Sequence, residues 1–337
     1  MNKAHALLFA LMMMTVSLAG CFGGDDGDSN DETSSEKNDV LLVKVNDIVN
    51  VNGSTGGLSE NPSELTAIGD TLYFRATELR GTGGETGLWK SDGTANGTVV
   101  VNNFILGSPS DLTAVGNTLY FEAYDATNGN ELWKSDGTAN GTVMVKDIND
   151  GSHLSRTPYS RDSNPYGLTA IGNTLYFAAD DGYDTELWKS DGTANGTVIV
   201  KGIYSGGGTN PQQLTAVGNT LYFQADDGTN GTELWKSDGT ANGTMMVKDI
   251  NSGSNDSYPV RFTAIGTTLY FRADDGNNGY ELWKSDGTTS GTVMVKDIDS
   301  GSGSSYPGQI TAVGDNIYFS ADDGTNGEEL WKSDGTA

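Results

Sequence analysis

The sequence predicts an all-β fold, a six-bladed β-propeller of four-stranded antiparallel blades, and three observations predict it. All six tryptophans, Trp89, Trp133, Trp188, Trp235, Trp283 and Trp331, fall in one phrase, LWKSDGT. They recur at spacings of 44, 55, 47, 48 and 48 residues, the period of propellers and related arrays. Each repeat reads as four short extended segments divided by glycine-rich turns, with no useful stretch of 3.6-residue periodicity. One tryptophan per repeat at a fixed place reads as structural packing between blades.

The fullest copy begins at Leu214 and shows each element in order. LTAV is the first strand, closed by the hairpin dipeptide Gly218-Asn219. TLYFQA alternates, with Leu221, Phe223 and Ala225 on one face and Tyr222 and Gln224 on the other. DDGTNG is a turn-rich connection and ELWKS the third strand. In SDGTANG, Asp-Gly and Asn-Gly both favour positive φ. TMMVKDI is the fourth strand.

Fourth-strand segments are expected at 41–48, 98–105, 142–148, 197–203, 244–250 and 292–298. The last copy ends after its third strand, and VLLVKVNDI, at Val40 to Ile48, resembles the fourth-strand phrase VMVKDI. The expectation is that strand 41–48 pairs into the last blade and closes the ring, since closure removes free sheet edges. The alternative is a fragment of a longer array.

Upstream of the repeats the sequence reads as an address and a tether. Residues 1–20 carry Lys3 and the apolar run Ala6 to Val16, too short to span a bilayer but suited to a signal peptide. Leu18-Ala19-Gly20-Cys21 resembles the lipobox of prokaryotic lipoproteins, which implies lipidation at Cys21. Phe22 after the cysteine resembles sorting to an outer membrane. Residues 21–39 hold the lipidated cysteine and an acidic stretch without aliphatic residues, which cannot bury enough apolar surface to fold. Residues 40–337 form the propeller. The expected location is extracytoplasmic, membrane-anchored through Cys21, at the cell surface or outer membrane.

Composition narrows the function. A formal net charge of −26 excludes an ordinary nucleic-acid binder, because phosphate would be repelled. A single cysteine excludes internal disulfides and cysteine-based metal sites. His153, beside Arg156 and Arg161, is the one histidine outside the signal peptide. No GxSxG, HExxH, Walker or dinucleotide pattern occurs, so an enzyme is not expected. A carbohydrate-active enzyme would need a carboxylate pair, and acids unique to one loop, such as Glu78, Glu85 or Asp162, would supply it better than the repeated ones.

ELWKSDGT followed by GTVMVKDI resembles the ELWxxDGT repeats of microbial surface proteins, over residues 40–337. The resemblance implies an extracellular propeller-like module with no established biochemical activity. ADDGTNGTELW also looks like the blade signature of Tol-type propellers, which implies six blades and protein partners. The repeat departs from WD repeats, where Gly-His precedes the blade and Asp follows Trp. It departs also from Asp-box lectins in the order of Asp and Trp.

One face of the propeller is monotonous and the other varies. The varied face joins fourth strands to the next first strands and second strands to third strands. All seven prolines lie in the former connections, the longest of which runs from about Asn149 to Gly167, and variable loops on a regular scaffold carry function. The acid pairs Asp180-Asp181, Asp226-Asp227, Asp274-Asp275 and Asp322-Asp323 could hold Ca²⁺, which takes several oxygen ligands. Turn chemistry accounts for the same Asp-Asp-Gly.

Loop tyrosines Tyr159, Tyr166, Tyr204, Tyr258 and Tyr306 could form a ligand face, because aromatic rings stack on sugars and proteins, or could pack on their own loops. The position after LYF is the most varied within a near-constant strand: Arg75, Glu122, Ala178, Gln224, Arg272 and Ser320. Asn96, Asn140, Asn195, Asn230 and Asn242 open glycosylation sequons, four of them in hairpin turns. The function expected is a surface binding or adhesion module for a protein or polysaccharide. The alternatives are an envelope-assembly scaffold of Tol type and a carbohydrate-active enzyme.

Overall fold

A computed structural model describes residues 62–80, 83–103, 107–151, 161–204 and 206–336. Blade 1 comprises β1 (Ser63–Ile68), β2 (Thr71–Arg80), β3 (Gly83–Ser91) and β4 (Val99–Asn103). Blade 2 comprises β5 (Ser110–Val115), β6 (Thr118–Asp125), β7 (Gly129–Ser135) and β8 (Val143–Lys146). Blade 3 follows with β9 (Tyr166–Ile171), β10 (Thr174–Asp180), β11 (Thr185–Ser190) and β12 (Val198–Lys201). Blade 4 has β13 (Gln212–Val217), β14 (Thr220–Asp226), β15 (Thr232–Ser237) and β16 (Met245–Lys248). Blade 5 has β17 (Val260–Ile265), β18 (Thr268–Asp274), β19 (Tyr280–Ser285) and β20 (Val293–Lys296). Blade 6 has β21 (Gly308–Val313), β22 (Asn316–Asp322) and β23 (Glu328–Ser333).

Each blade is an antiparallel meander in chain order, and among the described residues the sixth has three strands. The all-β, six-bladed propeller expected from the repeat is the observed fold. First strands of successive blades lie side by side, so they are the inner strands. The signal peptide, Cys21, the tether and the proposed closing strand 41–48 lie outside the described residues.

The core lies between blades rather than within them. In blade 4, Leu221, Phe223, Ala225 and Trp235 pack against Tyr176, Leu187 and Val200 of blade 3. On its other side Tyr222, Leu234, Val247 and Ile250 meet Leu269, Phe271, Ala273 and Trp283 of blade 5. The alternation of the second strand therefore divides two apolar interfaces instead of an inside and an outside.

The uniform face is uniform because it is the latch between blades. Lys134 Nζ donates to Gly192 O of the next blade at 2.9 Å, and Lys189 to Gly239 O at 2.8 Å. The Tyr120 hydroxyl abuts Gly192 and that of Tyr176 abuts Gly239, so a Cβ there would collide. Both glycines have left-handed φ, 87° and 86°. The Asn-Gly expectation is corrected: Gly141 and Gly243 lack positive φ, and glycine is required because a Cβ would strike the carboxylates of Asp136 and Asp238.

Fourth strands are shorter than the sequence suggests, ending at Lys146, Lys201, Lys248 and Lys296. The following Asp-Ile (Gly202-Ile203 after Lys201) leaves the ladder, and a third-strand glutamate takes the backbone N–H: Ile148 N donates to Glu131 Oε2 at 3.0 Å and Ile250 N to Glu233 Oε2 at 2.9 Å. Blade 1 has Gly87 in place of that glutamate, and its fourth strand continues to Asn103.

Candidate functional site

The varied loops are pinned from below by those buried glutamates. Glu131 also accepts from Asn149 N at 3.3 Å and Ser163 Oγ at 2.6 Å. Glu233 accepts from Asn251 N at 3.1 Å and Ser257 Oγ at 2.7 Å. Glu186 accepts from Thr209 Oγ1 at 2.8 Å, and Glu281 from Ser305 Oγ at 2.6 Å. Burial outweighs these hydrogen bonds and raises the pKa of Glu131, Glu186 and Glu233 to about 7, with Glu281 raised too. Sequence reasoning passed over this residue. The available signal was an acid recurring beside Leu-Trp in a strand buried on both faces.

Above each pin the chain emerges as Ser/Thr, one residue at positive φ, then proline. That middle residue is Asn164, Asn210, Tyr258 or Tyr306, with φ of 41°, 45°, 43° and 47°. Asparagine tolerates this region, whereas a bulky aromatic residue is strained there. Tyr258 and Tyr306 are nonetheless 47 % and 58 % exposed. Of the other loop tyrosines, Tyr166 opens β9, its hydroxyl pushed by burial to about 12. Tyr204 packs over Gly206, Gly207 and Gly228, and Tyr159 lies outside the described residues.

The next two residues carry a bulge that opens each inner strand. Its left-handed residues are Glu64, Asp111, Gly167, Gln213, Arg261 and Gln309. Their side chains reach the neighbouring blade: Glu64 accepts from Asp111 N, Asp111 from Leu168 N and Gln213 from Arg261 N, at 3.1, 2.8 and 3.2 Å. The varied position after LYF pairs with the residue that begins this bulge. Arg75 Nε donates to Ser63 Oγ at 3.0 Å, Glu122 accepts from Ser110 Oγ at 2.6 Å and Gln224 donates to Gln212 at 3.0 Å. In blade 5 the partner of Arg272 is Val260, which has no side-chain acceptor, and Arg272 Nε is buried without a hydrogen bond.

These departures converge in blade 5. The Arg272 guanidinium carbon lies 5.5 Å from the Tyr280 ring centroid and 5.9 Å from that of Tyr306, and the two rings stack at 5.6 Å. Burial lowers the Arg272 pKa, and the like charge of Arg261 lowers it further. A hydrogen bond to Asp256 raises the Tyr258 hydroxyl, and burial, then the charge of Asp274, raises that of Tyr280. The described lysines all belong to two repeated phrases, LWKS and the fourth strand, whereas arginine recurs at an equivalent place only in Arg75 and Arg272. Tyr258 and Tyr306 were candidates from sequence. Arg261 and Tyr280 were not, since each is a single deviation whose neighbours only the fold supplies.

The remaining candidates are scattered. In the acid pairs, Asp226 Oδ1 accepts from Gly228 N at 2.7 Å and Asp227 Oδ1 from Asn230 N at 2.8 Å, and the 274–275 and 322–323 pairs repeat this turn. Asp180 and Asp181 likewise hold Gly182 N and Tyr183 N. Each pair sits on its own blade, and among the described residues no group of three or more His, Cys, Asp or Glu is placed to hold a metal. Glu78 and Glu85 are cross-strand partners in the long hairpin of blade 1. Asp162 Oδ1 accepts from Asn130 N at 2.8 Å, and His153 lies outside the described residues.

No protein-family model matches the chain, and no curated protein matches it. Among solved structures, one from a study of two prolyl endopeptidases is similar at TM-score 0.51 and 14 % identity, covering 82 % of this chain and 39 % of that one. Prolyl oligopeptidase B from Galerina marginata gives 0.50 and 12 %, covering 80 % and 39 %. TolB from Acinetobacter baumannii gives 0.37 and 16 %, covering 65 % and 50 %. The chain spans about two fifths of the length of the two peptidases, 39 % in each case. At these identities the likeness is one of fold.

Proposed function

We propose that this protein is a lipid-anchored, extracytoplasmic binding module, similar to ELWxxDGT-repeat surface proteins, that engages a protein or polysaccharide through its varied loop face. One observation carries the reading. Where two blades place asparagine at a left-handed position before proline, blades 4 and 5 place exposed tyrosines, Tyr258 and Tyr306. Strain accepted at an exposed aromatic residue is the mark of a site kept for contact rather than for folding. The latch face supports the assignment by default, since its glycines and lysines are committed to neighbouring blades.

The test has two parts. Labelling with a radioactive fatty acid should mark the wild-type chain and not Cys21→Ser, which should leave the membrane fraction. Labelling of Cys21→Ser would remove the anchor. The tethered propeller should bind one class of probe on combined glycan and envelope-protein arrays, and Tyr258→Asn with Tyr306→Asn should abolish that signal. Binding that survives both substitutions would move the site elsewhere.

A further inference from the structure

We infer that the blade 5 cluster is a carboxylate-binding subsite for an acidic saccharide, a uronic acid residue whose ring lies on tyrosine and whose carboxylate meets Arg272. This rests on the surface-binding reading above and names its ligand class. The argument begins with two arginines at the same place in the repeat. In blade 1 Arg75 Nε is satisfied by Ser63 Oγ at 3.0 Å. In blade 5 Val260 takes the place of that serine, and Arg272 Nε is sealed without a partner. Of the Arg272 nitrogens, Nε alone is both buried and unbonded, so the two terminal nitrogens remain the group's route to an acceptor.

An Nε shut off from water without an acceptor is costly and leaves the outer edge of the guanidinium to make the hydrogen bonds, and a planar carboxylate is the partner that edge fits. The ionisable groups acting on Arg272 are Arg261, Tyr280 and Tyr306. Arg261 acts on it as a like charge and the two tyrosine rings lie 5.5 and 5.9 Å from its guanidinium carbon, so an incoming anion would relieve both positive charges. This stands out in a chain of net charge −26.

The aromatic residues decide which carboxylate. An acidic peptide would need the arginines alone. Here Tyr306 stacks on Tyr280 yet keeps 58 % of its surface in water, and Tyr258 keeps 47 %. Exposed tyrosine side chains beside an arginine fit a ligand that carries its carboxylate on a ring. Asp274, whose Oδ1 holds Gly276 N at 2.7 Å, borders Tyr280 and adds an acceptor for sugar hydroxyls.

Calorimetric titration of the whole chain with tetragalacturonate tests this. We expect saturable binding that weakens at least tenfold with the fully methyl-esterified tetramer and with Arg272→Gln, and that Arg272→Lys restores in part. Arg75→Gln, which breaks the blade 1 contact, should bind as wild type. Tryptophan fluorescence and Tm identify any variant that fails to fold, and in that case the ester comparison on wild type decides. No binding of tetragalacturonate, equal binding of the ester, or indifference to Arg272→Gln in a folded variant would each overturn the inference. A neutral glycan or a peptide carboxylate held through Tyr258 and Tyr306 would refute the uronate assignment and leave the binding module standing. Silence on every array would sink both.

Discussion

Blade 4 and blade 6 carry nearly the same third strand, TELWKS and EELWKS, yet Leu234 is fully buried and Leu330 is 78 % exposed. Nothing local distinguishes them. Leu234 meets Leu269, Phe271 and Trp283 of the following blade, whereas Leu330 faces solvent. The opposite end mirrors this: Leu65 of blade 1 is 62 % exposed and its equivalent Leu112 is 8 % exposed. Gly93, in the turn of blade 1, has nothing within 4 Å, while Gly137, Gly192, Gly239, Gly287 and Gly335 each meet a tyrosine hydroxyl of the blade before. Stability in this array is therefore held between neighbours, one interface at a time.

The largest effect that can break this comparison is a leucine deletion. Leu234→Ala should cost about 3–4 kcal/mol in urea unfolding, through lost burial and the cavity left behind. Leu330→Ala should stay within about 0.5 kcal/mol. If Leu330→Ala costs as much as Leu234→Ala, then the outer face of blade 6, where Leu330 is 78 % exposed, is covered in solution.

The second contrast concerns the latch. Gly239→Ala must take φ of 86° and displace the Tyr176 hydroxyl, for an expected loss of about 2–3 kcal/mol. Gly93→Ala bears the same strain at φ of 88° without the collision, for about 1 kcal/mol. Equal losses at the two sites would show that the tyrosine contact contributes nothing beyond the backbone.

The same contrast explains what could be read in advance. Repetition made the fold legible: every Phe–Trp pair, from Phe74 with Trp89 to Phe319 with Trp331, keeps one register. The site was only half legible, because it consists of exceptions. Tyr258 and Tyr306 showed as loop tyrosines, and position 272 as varied. That Arg272 lacks a partner depends on Val260, twelve residues away and on another strand. The buried glutamates were missed for a related reason: their partners lie 17 to 32 residues away in sequence.

Those glutamates give a pH test with a fixed sign. Their carboxyls in the folded state titrate near 7 for Glu131, Glu186 and Glu233, above the ordinary value of about 4.3. Between those values the folded chain keeps protons that the unfolded chain has released. Stability therefore falls as pH rises through this window and levels off above about 7. Calorimetry should show Tm dropping from pH 5 to pH 7.5, for a stability loss on the order of 1–2 kcal/mol per glutamate. Glu233→Gln should shrink that drop. Glu329→Gln should not, because its equivalent side chain in blade 6 is exposed. A Tm that rises across the interval would refute the burial argument.

The smallest effect separates folding from contact in the loops themselves. Tyr258 occupies φ of 43° before Pro259, where blades 2 and 3 use Asn164 and Asn210 at 41° and 45°. Tyr258→Asn should therefore stabilise the protein by about 0.5–1 kcal/mol, since asparagine enters the left-handed region more readily. Tyr306→Asn has the same backbone gain at φ of 47° but forfeits the stack on Tyr280 and the contact with Arg272, worth a similar amount. Its net change should lie near zero. Chemical denaturation of the two variants side by side measures this difference. If Tyr258→Asn instead destabilises the chain, the tyrosine is held for packing, and its exposure in the loop face loses the functional meaning assigned to it.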